Sequence, residues 1–107
     1  MATKIGIVLQ SNDPETAWNA FRFAVTSLES HHGVRVFLLG KGVELEQIHD
    51  DKFDLSSVVR KFQGMAGEIY ACGTCLEVRQ TESKICPVST MAQLLRIVEE
   101  SDKVLVF

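Results

Sequence analysis

Cys72-Gly73-Thr74-Cys75 carries the residue types and spacing best suited to covalent chemistry in this chain. It stands where the apolar run Ile69-Tyr70-Ala71 gives way to polar residues, a pattern that predicts a strand end followed by a helix. Proteins of the α/β class place reactive groups at the carboxyl ends of strands. A helix amino end also favours thiolate over thiol, and the thiolate is the nucleophile. A single cysteine at an anonymous position reads as a packing residue. Here the strand end, the helix start and a second cysteine three residues on argue for chemistry.

Three chemistries fit the pair. A structural zinc site needs about four ligands; Cys72, Cys75 and Cys86 supply three, and His31, His32 or His49 would have to complete it. A thioredoxin-like dithiol also precedes a helix. That setting has an aromatic before the first cysteine and a proline in or after the pair, whereas this chain has Ala71 before and Gly73-Thr74 between. A persulfide carrier needs one accessible, low-pKa thiol on a flexible loop, able to attack a donor persulfide and hand the outer sulfur on, and Gly73 supplies the flexibility.

The remaining polar candidates read as structural. His31-His32 falls in the last turn of a helix, where histidine complements the dipole, and His49 lies in a charged loop. Gly40-Lys41-Gly42 follows a strand but lacks the spacing of a phosphate loop. Asn12 and Asp13 follow the first strand on the sheet edge expected for Cys72, with capping as their expected work. Cys86, before Pro87 in an apolar setting, reads as buried and inert.

The elements that must position these residues alternate along the chain. Lys4–Leu9 is a nearly continuous apolar run, as in a strand buried on both faces. Asp13-Pro14 opens a helix to about His31, with Trp18, Phe21, Val25 and Leu28 at helical spacing and Gly33 as its stop. Trp18, Phe21 and Phe23 point to different sides; ordinary core packing is the stronger expectation, and one left at the surface could mark a subunit contact. Val34–Leu39 is a second strand, and Val43–Ile48 a short helix. Asp54 caps a helix carrying Leu55, Val58, Val59 and Phe62. Glu68–Ala71 is a third strand. Thr74 and Glu77 form a capping-box pattern that makes Thr74 the cap and Cys75 the first residue of a short helix. Lys84–Val88 is a fourth strand, limited by Pro87 to an edge or strand end. Thr90 caps a helix to about Glu100 with Met91, Leu94, Leu95 and Val98 inward, and Val104–Phe107 is a fifth strand. This alternation predicts right-handed βαβ units and a parallel sheet covered on both faces. The four apolar residues at the end predict a terminus buried in the core or in an interface.

At 107 residues the chain suits one domain, 1–107, with one core. Its 46% hydrophobic and 23% charged content are ordinary for a globular protein, and the net charge of −3 is small. No basic block implies nucleic acid as a partner, and no apolar stretch is long enough to span a bilayer. Met1-Ala2-Thr3-Lys4 lacks the apolar core of a signal peptide, so a cytoplasmic location is expected. Three cysteines, an odd number, argue against a closed disulfide framework.

Ile69-Tyr70-Ala71-Cys72, the short helix after it and the closing Ser101-Asp102-Lys103-Val104-Leu105-Val106-Phe107 resemble the DsrE/TusD-like (DsrE/DsrF-like) sulfur-relay family. The opening strand, the Ser11-Asn12-Asp13-Pro14 loop, the aromatic-rich first helix and the Gly42-Val43 turn extend the likeness to nearly the whole chain. The resemblance implies a three-layer α/β/α sandwich with a five-stranded, mainly parallel sheet, assembled as a trimer or hexamer. It implies a small sulfurtransferase-like carrier that moves persulfide sulfur between donor and acceptor proteins, as in sulfur-oxidation and transfer-RNA thiolation relays. On that reading no cofactor or metal is required, and neither nucleic acid nor membrane is expected to take a direct part. The family's active cysteine follows the third strand and corresponds to Cys72. Cys75 is an addition to the pattern of the best-known carriers, an auxiliary thiol that could release sulfur through a disulfide or protect Cys72 from oxidation. Two rivals stay open: a dithiol oxidoreductase using Cys72 and Cys75, and an oligomeric interaction module with inert cysteines.

Overall fold

The computed structural model describes residues 2–107; Met1 lies outside them. Among the described residues, five strands form one sheet: β1 (Lys4–Leu9), β2 (Gly33–Leu38), β3 (Glu68–Cys72), β4 (Val88–Ser89) and β5 (Lys103–Val106). Their spatial order is β4-β3-β2-β1-β5 and all four pairings are parallel. Between them run helices α1 (Pro14–Glu29), α2 (Leu55–Gly64), α3 (Gly73–Val78) and α4 (Met91–Glu100), with a 3-10 segment at Gly40–Gln47.

Helices cover both faces, as the alternation predicts. Ile7, Val36 and Ile69 stand side by side on one face with Leu105. Phe21 of α1 and Phe62 of α2 meet edge-on at 5.6 Å, both fully buried. The opposite face carries Gly6, Val8, Phe37 and Tyr70. Gly6 lets α4 come close: a Cβ there would lie 2.8 Å from Ser101 Oγ and 3.2 Å from Ile97 Cγ2. The three-layer α/β/α sandwich is therefore the observed architecture.

Local signals acted mostly where the sequence places them. Asp13 accepts the Thr16 N–H at 2.9 Å and caps α1, Asp54 accepts from Ser57, and Thr90 accepts from Gln93. β4, held at the sheet edge beside β3, keeps only the two residues after Pro87. The stop of α1 falls on His31, not Gly33: His31 adopts φ 67°, and its N–H and that of His32 satisfy the Leu28 and Ser27 carbonyls. Gly33 instead begins β2.

Two expectations are corrected. Thr74 does not cap α3. Cys72, extended at φ −64° and ψ 117°, is the N-cap, and the helix starts at Gly73, so Cys75 is its third residue. Nor does α4 bury the stripe read from its sequence. Ile97 is its buried residue and Leu94 is half-buried, while Met91 and Leu95 are each 58% exposed and Val98 is also exposed. Glu100 reaches Arg35 of β2 at 2.7 Å, which turns that flank of α4 over β2. The apolar flank lies on the other side, toward β5. There Val104 and Val106, on the α4 face of an edge strand, are exposed as well. The apolar carboxyl terminus is thus divided: Leu105 and Phe107 pack against the core, while Val104 and Val106 face outward.

A candidate thiol site beside an open cleft

Cys72 ends β3 and begins α3, so two elements fix its position. Its neighbour across the sheet is Ser89 of β4, and Ala71 N–H is held by the Pro87 carbonyl at 3.0 Å. Beside it opens a cleft of about 720 Å³ bounded by α3, the 81–83 loop, β4 and the start of α4. Cys72, Gly73, Ser83 and Ser89 line it with the carboxylates Glu77 and Glu82. The cleft sits at the carboxyl ends of β3 and β4. The topological switch lies elsewhere, between β1 and β5, where the sheet reverses its winding.

Only 2% of Cys72 is exposed. Burial pushes its thiol above the ordinary value of 9.0; the Cys75 amide draws it back, the Cys75 side chain adds to the rise, and the Thr74 amide opposes it. The expected depression by the helix amino end is therefore overturned: with α3 only six residues long, desolvation outweighs its first amides. Cys86 is more strongly affected, pushed by burial to about 11. Alkylation of the native protein by iodoacetamide is accordingly expected to be slow at neutral pH, to accelerate at Cys72 as pH rises, and to reach Cys86 last. A fast, pH-independent reaction at Cys72 near neutrality would contradict this ordering.

Cys75, half-buried on the next turn, is turned away from the cleft. Its Sγ accepts the Gly40 N–H at 3.2 Å, from a residue in the left-handed region at φ 55°. Arg79 holds the same turn by donating from Nη1 to the Cys75 carbonyl at 3.2 Å. Its Nε pairs with Glu44 at 2.8 Å, and Glu44 also accepts from Asn12 Nδ2 at 3.2 Å. The Arg79 and Asn12 hydrogen bonds hold the Glu44 carboxyl below its ordinary range. Asn12, Glu44 and Arg79 thus tie together the loops after β1, β2 and β3. Arg79 and Glu44 escaped the sequence reading, since neither stands in a motif and their meeting depends on the fold.

The other candidates fall into structural places. Asp13 caps α1, and His32 Nδ1 accepts the Thr3 N–H at 2.9 Å. His31 and His49 are exposed. The Gly40 and Gly42 amides are engaged by Cys75 Sγ and the Leu39 carbonyl, which leaves no amide nest for a phosphate. Trp18 packs against Phe53 at 5.1 Å under the Arg22 guanidinium, and Phe23 is the exposed aromatic of α1. Among the described residues, no three His, Cys, Asp or Glu side chains converge as a metal site. Nor is any helix long and apolar enough to cross a membrane.

A parallel α/β/α sandwich with a cysteine between its third strand and a short helix defines a recognisable class of domain. The profile of the DsrE/DsrF-like family matches residues 3–107, and the chain belongs to that family, within the broad sulfur-relay superfamily. An uncharacterised protein of Methanopyrus kandleri is 31% identical over 100 residues, covering 87% of this chain and 83% of that one. One from Methanocaldococcus jannaschii is 29% identical over 100 residues, covering 87% and 88%. Among solved structures, the ychN protein of E. coli superposes with a TM-score of 0.82 at 20% identity over the whole of both chains. A conserved protein of unknown function from Bacteroides thetaiotaomicron gives 0.79 at 20% identity over 98% and 95%. At those identities the likeness establishes the fold.

Proposed function

We propose that residues 1–107 form one DsrE-like domain that carries sulfur as a persulfide on Cys72. One observation carries the reading: of the three cysteines, Cys72 alone lines the cleft, at the end of β3. A donor persulfide entering there transfers its outer sulfur to the Cys72 thiolate. The new bond joins Cys72 Sγ to that sulfur, the donor's S–S bond breaks, and the donor leaves as a thiolate that takes up a proton. Passing the sulfur on to an acceptor thiol is the same exchange in reverse. Atoms and electrons balance without a cofactor. The Cys75 and Thr74 amides beside Cys72 Sγ support the charge during attack. The partners are sulfur donor and acceptor proteins, and the setting is the cytoplasm.

Incubation with a small persulfide donor, followed by intact-mass measurement, is expected to add one sulfur atom per chain. Cys75→Ser and Cys86→Ser should take up sulfur as well as the parent does. An unchanged mass in every form would remove the reading. Slow alkylation at neutral pH is expected of a carrier and of a module with inert cysteines alike, because burial alone slows the thiol; sulfur uptake separates them. A dithiol oxidoreductase draws support from the closeness of Cys75 and would turn over with a reductant and a disulfide substrate.

Assembly into a trimer or hexamer belongs to the same reading. Met91, Leu95, Val98, Val104 and Val106 make an exposed apolar face on one flank of α4 and the β5 edge. A contiguous apolar face of this kind, next to an unpaired strand edge, suits contact between copies. Leu95→Glu is expected to reduce the particle to a folded monomer in analytical ultracentrifugation. Retention of the parental mass would place the subunit contact elsewhere.

A further inference from the structure

The carrier reading leaves the work of Cys75 undecided between release of sulfur through a disulfide and protection of Cys72. The cleft reaches Cys72 and not Cys75, whose Sγ is turned to the Gly40 amide at 3.2 Å and whose turn is fixed by Arg79. A partner in the cleft therefore meets one thiol only. The second has a single partner within reach: the Cys72 sulfur, beside which it lies as third residue to N-cap of the same helix. Side chains at this spacing have Cβ atoms about 5–6 Å apart, and a disulfide needs roughly 3.5–4.5 Å. The turn must tighten by about 1.5 Å to close one. Cys72, outside the helical conformation, and Gly73 next to it allow that shift.

We infer that Cys75 discharges the sulfur held on Cys72 as sulfide, so that the chain converts a persulfide to sulfide when no acceptor fills the cleft. This rests on the proposed carriage of sulfur by Cys72. The Cys75 thiolate, having given its proton to water, attacks Cys72 Sγ. A Cys72–Cys75 bond forms, the bond from Cys72 Sγ to the outer sulfur breaks, and that sulfur leaves as hydrosulfide, protonated by solvent to hydrogen sulfide. The outer sulfur gains two electrons and the two cysteines together lose two. The cycle closes when a dithiol reductant attacks Cys72 Sγ, the disulfide sulfur that faces the cleft, and returns two electrons and two protons. Gly40 is a positioning residue: its amide holds Cys75 Sγ back until the turn closes.

The test loads the reduced protein with a small persulfide donor, removes the donor by gel filtration, and follows mass and free sulfide with time. The parent is expected to gain one sulfur atom, then lose it as one sulfide per chain, ending two hydrogens lighter than its reduced form. Peptide mapping should find the Cys72–Cys75 bond, with Cys86 free. Cys75→Ser should keep its added sulfur, with sulfide release at the spontaneous background. Should that variant fail to fold, Cys75→Ala and the mapping of the parent give the same reading. A parent that keeps its sulfur, or a Cys75 variant that releases sulfide as fast as the parent, overturns the inference and leaves the carrier reading standing. Absence of any sulfur adduct in the parent and in the Cys75 variants, with no sulfide released, overturns both.

Discussion

Cys72→Ser is expected to abolish sulfur uptake completely without loss of stability. The function goes because a serine hydroxyl stays protonated at neutral pH and cannot hold a sulfane sulfur. The fold stays because Cys72 is the N-cap of α3, a place where serine is among the preferred residues. Its oxygen is a better acceptor than sulfur for the amides of Thr74 and Cys75. Burying a hydroxyl at a site only 2% exposed offsets part of that gain. The net change in unfolding free energy is expected between zero and about 1 kcal/mol of stabilisation, read from urea melts beside the uptake assay. Loss of uptake with a large loss of stability would make Cys72 a packing residue.

Gly42→Ala is expected to have the largest effect on stability. Gly42 lies against β1 at the start of the 3-10 segment. An added methyl would overlap the Leu9 carbonyl oxygen and come 2.8 Å from its carbonyl carbon. That carbonyl cannot swing away, because it accepts the Leu39 N–H at 2.9 Å where β1 and β2 end together. Overpacking against fixed backbone costs about 3 kcal/mol, which for a chain of this size lowers Tm by roughly 10–20 °C. The same displacement moves Gly40, so the hold on Cys75 should loosen even in molecules that stay folded. Gly64→Ala is the control: a Cβ there meets nothing within 4 Å, at the end of α2. It should be neutral or stabilising by about 0.5–1 kcal/mol. Equal melting temperatures for Gly42→Ala and the parent would show that the 3-10 segment yields freely.

Strand and helix order was legible because buried parallel strands and capped helices leave strong local marks. Lys4–Leu9 is apolar after its first residue, Asp13-Pro14 and Asp54 announce helix starts, and Pro87 confines β4 to the edge. What failed depends on more than one element. The α4 sequence has two apolar stripes, and nothing in it says that Ile97 faces Gly6 while Leu95 faces outward. Thr74 and Glu77 have the spacing of a capping box, but the strand runs one residue further, to Cys72, and the helix begins at once behind it. The position of Cys72 was legible; its protonation was not. The helix signal favoured thiolate, whereas the burial that raises the thiol is a property of the packed site. Arg79, Glu44 and Gly40 come to Cys75 from two separate stretches of chain and left no local mark.

That outcome sharpens the chemistry expected of the site. A cysteine with a raised thiol in a shielded place is slow toward general electrophiles, and its exchange with sulfur donors depends on what the cleft admits. The central claim is that Cys72 alone takes the sulfur from outside. The most direct measurement treats the reduced protein with a limiting amount of persulfide donor, quenches at once, and locates the added sulfur by fragmentation of the intact chain. The account expects it on Cys72 in the first-formed adduct, with Cys75 and Cys86 unmodified. Sulfur on Cys75 or Cys86 at the earliest time, or no adduct on the folded protein, would contradict it.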